Sequence, residues 1–123
     1  MPKNLEPVSL NVTMPTIMAY ADLTDDYNPI HVDREFAEKT EMKGIIAHGT
    51  MSLNLIWQSL RKTLGNEAVA GARLNIRFVR PVRENDTVTG GGIEQEGAPG
   101  TYDVWVSNQK GEQVITGTAT FSQ

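Results

Sequence analysis

Apolar residues recur at helical spacing in the middle of the chain. The five that define this pattern lie three or four positions apart and are Leu53, Ile56, Trp57, Leu60 and Leu64. Such spacing is typical of one apolar stripe along an α-helix. It predicts a long helix that begins at Gly49 and stops at Gly65 and Asn66, because glycine favours a helix end. We expect this helix to be the main core element of the fold.

Apolar and polar residues alternate in the second half of the chain. In residues 73–78 every second residue is apolar, which predicts a half-buried strand that ends before Pro81. Three further strands are expected, separated by turns rich in glycine, and they span 87–95, 101–108 and 113–121. Because short connections join antiparallel neighbours, the four strands are predicted to form a meander.

A short strand and a short helix are predicted before the long helix. The strand is expected at residues 8–13, and the helix passes through 17–21 after Thr13 and Pro15 supply a helix start. The long helix, this extra strand and the meander together predict an α+β fold in which a curved antiparallel sheet wraps the helix. With 123 residues, the chain is expected to be a single domain over 1–123.

Residues 24–31 are predicted to form an irregular loop. Asn28 precedes Pro29, and a residue before proline is disfavoured in the α-helical region. After the loop, Asp33 is expected to cap a short helix over 34–39. The inward-facing residues of this helix are expected to be Phe36 and Ala37.

The composition excludes several classes of function. The chain contains no cysteine, which rules out disulfides, thiolate nucleophiles and cysteine-based zinc sites. A net charge of -4 argues against general nucleic-acid binding, which normally requires a basic excess. No apolar run approaches the roughly 20 residues of a membrane span, and no signal-peptide pattern is seen. We therefore expect a cytoplasmic protein that binds neither nucleic acid nor membrane.

A carboxylate and an imidazole lie five residues apart in the predicted loop, at Asp26 and His31. If the two side chains converge on one water, they form an acid/base pair in which one group removes a proton while the other orients the water or supplies a proton. Asn28, between them, is expected to hold either the loop or the partner groups through its amide. The alternative is that Asp26 and His31 form only a local hydrogen-bonded turn.

A second candidate element is the start of the long helix, where residues 45–50 lead into Gly49. Unpaired N–H groups and the positive end of the helix dipole face outward at such a position. Glycine has no Cβ, so a carbonyl oxygen can approach the backbone and be stabilised as an oxyanion. The alternative is that His48 and Gly49 form only a tight start to a buried helix.

Three segments together resemble the (R)-specific enoyl-CoA hydratases of the MaoC-like family. They are D-Y-N-P-I-H-V-D at 26–33, I-A-H-G at 46–49 and N-I-R-F at 75–78, the last running on to Pro81 and Val82. The resemblance covers roughly residues 19–86. It implies a hot-dog fold, in which an antiparallel sheet wraps a long central helix, and pairing of chains into dimers. It also implies hydration or dehydration of a 2-enoyl thioester carried by CoA or acyl carrier protein, in fatty-acid metabolism and without a cofactor.

The resemblance also implies roles for individual residues. Asp26 and His31 are expected to bind and activate water, Asn28 matches the asparagine of the motif, and the backbone N–H of Gly49 is the expected oxyanion donor. The candidates for substrate binding are His48, Asn54, Arg77 and Arg80. The sequence departs from the family at Asp25, where glycine is common. Because aspartate tolerates left-handed backbone better than most residues, the turn is expected to survive.

Two further groups have alternative interpretations. The basic cluster is either a solvated sheet face or a contact for the phosphates of coenzyme A, and it comprises Arg73, Arg77, Arg80 and Arg83. No metal is expected, because His31 and His48 lack a short ligand spacing. His48 is expected to hydrogen-bond the backbone around the helix start.

Two other functions are compatible with the same fold. A hot-dog acyl-CoA thioesterase would direct water to the thioester carbonyl instead of the double bond. A non-catalytic hot-dog subunit would bind acyl chains without reaction. The presence of both Asp26 and His31 favours an active hydratase.

Overall fold

The computed structural model describes residues 2–121. Five strands and five helices follow one another along the chain as β1 (Val8–Asn11), α1 (Met14–Thr24), α2 (Pro29–Val32), α3 (Arg34–Glu38), α4 (Gly49–Leu64), α5 (Asn66–Ala70), β2 (Ala72–Phe78), β3 (Thr87–Glu94), β4 (Thr101–Ser107) and β5 (Gln113–Phe121). The predicted α+β class is confirmed. In the described part of the chain, no helix combines the length and apolarity needed to cross a bilayer.

The five strands form one antiparallel sheet in the order β1-β3-β4-β5-β2. The prediction of a four-strand meander is wrong for β2, which pairs with β5 at the far edge of the sheet. The reason lies in the connection over residues 79–86. Eight extended residues span roughly 26 Å, more than the ~14 Å that separates strands three positions apart, so this segment can cross the sheet.

The long helix α4 packs against β1, β3 and β4 of the sheet. Its close approach to β3 depends on Gly90, where a Cβ atom would lie 2.9 Å from the Cβ of Leu55. The buried face of the helix is rotated slightly from the predicted stripe, so that Leu53, Trp57 and Leu64 are only partly buried. Its buried residues are Met51, Ser52, Leu55, Ile56, Ser59 and Leu60.

The segment before α4 is more helical than predicted. Helix α1 extends to Thr24, and α2 includes His31, so the irregular loop is confined to residues 25–28 instead of 24–31. Pro29 starts α2 because the first helical position needs no N–H donor.

Helix α3 agrees with one prediction from the sequence and departs from another. Asp33 caps this helix by accepting a hydrogen bond from the backbone N–H of Phe36, as predicted. The Phe36 side chain, however, is 48% exposed, and Ala37 alone of the two predicted inward residues is buried. A helix of five residues has room for little more than one buried position on one face.

Candidate active site

A four-residue turn between α1 and α2 positions the carboxylate of Asp26. Asp25 closes α1 in left-handed backbone, with φ 54° and ψ 40°, as expected for a residue that replaces glycine. The backbone N–H of Asp26 then donates to the carbonyl oxygen of Ala21 at 3.1 Å. The Asp26 carboxylate accepts from the N–H of Asn28, and the Asn28 side-chain oxygen accepts from the N–H of Ile30, both at 3.2 Å. The asparagine therefore holds the loop, as the sequence predicts.

The imidazole of His31 is fixed by one backbone contact. Its Nδ1 lies 2.7 Å from the carbonyl oxygen of Ile46. Because a carbonyl oxygen only accepts hydrogen bonds, Nδ1 carries the proton and donates it. In the neutral ring, Nε2 is then left with a lone pair, and His31 can accept a proton there.

His48 lies behind His31 and has no place in the wall of the cavity described below. It is 2% exposed, and the two imidazole rings stack with their centroids 4.0 Å apart. Its Nε2 donates to the backbone carbonyl oxygen of Asp26 at 3.0 Å, which ties the loop to the start of α4. Its Nδ1 is buried without a hydrogen-bond partner among the described residues.

The two residues of the sequence motif converge. A carboxylate oxygen of Asp26 and one ring nitrogen each of His31 and His48 all lie within 4.8 Å of one another. A water hydrogen-bonded to two groups spans up to roughly 5.6 Å between them, so one water can bridge Asp26 and His31. The same donors would suit a transition metal. However, Nδ1 of His31 and Nε2 of His48 already donate hydrogen bonds to backbone carbonyl oxygens, which leaves one nitrogen of each ring for any such ligand.

A cavity of about 360 Å³ is lined by both His31 and Gly49, whereas Asp26 is not one of its lining residues. Its other walls are mainly apolar, and they include Met42, Phe78, Val82, Val114 and Ile115. An extended apolar acyl chain fits such walls, while His31 and the helix end supply the polar contacts.

The amino end of α4 is open towards this cavity. No side chain caps the helix, and the backbone N–H of Gly49 has no partner among residues 2–121. A Cβ atom at Gly49 would lie 2.9 Å from Cε1 of Phe78, so glycine is required for the present packing. The free N–H and the helix dipole together form a site for negative charge on an oxygen.

The other predicted substrate-binding residues do not lie together. Arg80 lines the cavity. Asn54 is exposed and lies outside the cavity wall. Arg77 lines a separate groove beside Asn75 and Thr116 on the sheet.

Sequence reasoning missed Ser52, which lines the cavity one turn after Gly49. Ser52 is 1% exposed, and its hydroxyl has no partner among the described residues. The available signal was a small polar residue within the apolar face of α4.

Two ionisable contacts stabilise the surroundings of the site. The Arg34 guanidinium donates two hydrogen bonds to the Glu84 carboxylate, at 2.5 and 2.9 Å, and thereby holds the pKa of Glu84 below its ordinary value. This pair joins α3 to the segment before β3. In the loop, the hydrogen bond from Tyr27 to Asp22 raises the pKa of the Tyr27 hydroxyl above its ordinary value.

Solved structures share this architecture. The unliganded R-hydratase PhaJ1 of Pseudomonas aeruginosa superposes with a TM-score of 0.81 at 27% identity, over 97% of this chain and 79% of that one. The fold is therefore the hot-dog fold, as the sequence predicts.

Two curated relatives are similar in sequence. An (R)-specific enoyl-CoA hydratase of Rhodospirillum rubrum is 37% identical over 59% of this chain and 51% of its own length. An (R)-specific enoyl-CoA hydratase of Aeromonas caviae is 27% identical over 84% of this chain and 80% of its own. The match therefore spans about half the length of the first relative and most of the second. A profile of the family described as MaoC like domain matches residues 3–119. The chain belongs to the MaoC-like domain family.

Proposed function

We propose that this protein hydrates the double bond of a 2-enoyl thioester, or catalyses the reverse dehydration, with (R) stereochemistry at the new hydroxyl carbon. The single observation that carries this proposal is the convergence of Asp26 and His31 beside the free N–H of Gly49. The names of the relatives from Rhodospirillum rubrum and Aeromonas caviae support the same reaction.

In the proposed mechanism, the thioester oxygen accepts a hydrogen bond from the N–H of Gly49. One water donates its two hydrogens to Asp26 and His31, which leaves an oxygen lone pair directed at the β-carbon. As the C–O bond forms, the electrons of the double bond move towards the thioester oxygen, where the helix end stabilises the enolate. One of the two groups takes the proton lost by the water and delivers a proton to the α-carbon.

Asp26 is our choice for the general base, with His31 orienting the water and sharing proton transfer. The assignment can be reversed, because both groups present an acceptor to the water. The reaction as written balances without a redox partner, so we propose that it needs no cofactor other than CoA or acyl carrier protein as carrier. A place in fatty-acid metabolism and a cytoplasmic location stay predictions.

Purified protein is expected to consume crotonyl-CoA, with loss of the enoyl-thioester absorbance and formation of (R)-3-hydroxybutyryl-CoA. Chiral analysis of the product tests the stereochemistry, and a thiol reagent reports any free CoA. A thioesterase would release thiol instead, and a non-catalytic subunit would leave the substrate unchanged. Either result would overturn the proposed hydratase activity.

We also propose that the protein is a homodimer formed through the β2 edge. In the described sheet β2 pairs only with β5, so its outer edge has unpaired backbone groups. Phe78 and Val79, at the end of this edge, are 53% and 43% exposed. A twofold axis would pair two β2 strands antiparallel and cover these side chains. Light scattering should give about twice the chain mass of 13.5 kDa, and the mass of one chain would contradict the dimer.

A further inference from the structure

The buried face of helix α4 carries two serines, Ser52 and Ser59, which lie two turns apart on the same side of the helix. The Ser59 hydroxyl donates a hydrogen bond to the backbone carbonyl oxygen of Glu6, so its burial is balanced by a polar contact. The Ser52 hydroxyl is equally buried but has no partner among residues 2–121. The burial of Ser52 therefore needs a different explanation from that of Ser59.

The usual partners of a serine inside a helix are not used by Ser52. Such a hydroxyl ordinarily faces solvent or donates to the carbonyl oxygen one turn earlier. The Ser52 side chain is shielded from solvent, and its hydroxyl does not bond the carbonyl oxygen of His48. Unpaired buried polar groups are uncommon in native proteins, and a role in catalysis is one of the explanations for them.

Ser52 lies beside the N–H that the proposed mechanism assigns to the thioester oxygen. Ser52 and Gly49 line the same cavity. Helix positions three apart are neighbours on one face, about 4.5 Å apart along the axis, and the Cα–Cβ bond tilts towards the amino end of the helix. Two donors that share one acceptor can lie up to roughly 5.8 Å apart. One oxygen in the cavity can therefore accept from both Gly49 and Ser52.

We propose that the Ser52 hydroxyl is a second donor to the thioester oxygen, next to the N–H of Gly49. The inference rests on the proposed function. As the new C–O bond forms, negative charge develops on the thioester oxygen, and a hydrogen bond from a buried hydroxyl strengthens with that charge. A carbonyl oxygen has two lone pairs, so Gly49 and Ser52 can each occupy one of them. The mainly apolar walls of the cavity make both contacts stronger than they would be in water.

An alternative partner for the Ser52 hydroxyl is Nδ1 of His48, which is also buried and unpaired among the described residues. Nε2 of His48 donates to the carbonyl oxygen of Asp26, so Nδ1 of the neutral ring is an acceptor. The thioester is favoured because Ser52 lines the cavity and His48 does not. Only a contact with the thioester changes the carbonyl bond of a ligand in the cavity.

The variant Ser52→Ala should lower kcat for crotonyl-CoA roughly 10- to 100-fold, the range for a lost hydrogen bond to a charged oxygen. KM should change less than kcat, because the bond is strongest in the transition state. Ser59→Ala is the matched control, since it removes a buried hydroxyl from the same helix face. It should lower stability, because Ser59 pairs with Glu6, and it should keep kcat. An unchanged kcat in Ser52→Ala, or an equal loss in Ser59→Ala, would overturn the proposal.

A second measurement detects the contact itself in a bound ligand. Butyryl-CoA has no double bond to hydrate, and an isotope label at its carbonyl carbon identifies the infrared stretch of that bond. Hydrogen bonds lower the frequency of this stretch, so the bound ligand should absorb at higher frequency in Ser52→Ala than in the wild type or Ser59→Ala. Equal frequencies in all three proteins would overturn the proposal and leave His48 as the partner of the hydroxyl. Failure of the proposed hydratase would look different, because the wild type would then hydrate no crotonyl-CoA.

Discussion

The variant Asp26→Asn is expected to hydrate crotonyl-CoA roughly 10² to 10⁴ times more slowly than the wild type, the range for loss of one acid/base group. The amide oxygen of asparagine can still accept the hydrogen bond from the N–H of Asn28, so the turn should keep its shape. An amide cannot take a proton from water near neutral pH. The loss should therefore appear in kcat, measured by the decrease of enoyl-thioester absorbance.

The neighbouring carboxylate supplies the matched control. Asp25→Asn removes an equal charge one residue away, and asparagine tolerates the left-handed backbone of that position. We expect this variant to retain wild-type activity to within a few-fold. If Asp25→Asn were as slow as Asp26→Asn, net charge in the loop would explain the effect and the specific role of Asp26 would be refuted.

Replacing Gly49 by proline should reduce kcat by roughly 10² to 10³, the usual cost of one oxyanion-hole donor. Proline lacks the N–H that the thioester oxygen needs, yet it is well accommodated at the first position of a helix. His48 already has φ -60° and ψ 131°, the extended conformation that a residue before proline requires. Helix α4 should therefore form, although the proline Cβ presses on the Phe78 ring as that of alanine does, and circular dichroism will show the helix.

The variant Gly49→Ala tests whether activity depends on the backbone N–H of residue 49 or on the space beside it. Alanine keeps the N–H, but its Cβ would press against the ring of Phe78, so a moderate loss is expected. Adding Phe78→Ala should restore part of the activity that Gly49→Ala loses. It should restore none of the activity that Gly49→Pro loses. If alanine and proline at position 49 were equally active, the N–H of Gly49 would have no part in the reaction.

Local patterns predicted the elements of the fold better than their arrangement. Helix α4 starts at Gly49, as predicted, because its periodicity and its terminal glycines are properties of adjacent residues. The position of β2 beside β5 depends on where residues 79–86 cross the sheet, which no short pattern records. The exposure of Phe36 has the same origin, since burial is set by elements that are remote in sequence.

The candidate site likewise combines features that are local in sequence with contacts that are long-range. Asp26 and His31 are five residues apart, so a motif is enough to suggest that they act together. The contacts that fix them are long-range: His31 is held by Ile46, and His48 reaches back to Asp26. The positions of Arg77 and Arg80 also depend on strand pairing, so the sequence alone could not show that Arg80 lines the cavity and Arg77 does not.

The central claim is that Asp26 and His31 act on one and the same water, and a double-variant cycle tests it most directly. Asp26→Asn, His31→Gln and the combined variant are compared by kcat for crotonyl-CoA. Groups that act as a unit are strongly non-additive. We therefore expect the combined variant to be about as slow as the slower single variant. Losses that multiply in the combined variant would show that the two residues act independently, and would contradict the shared water.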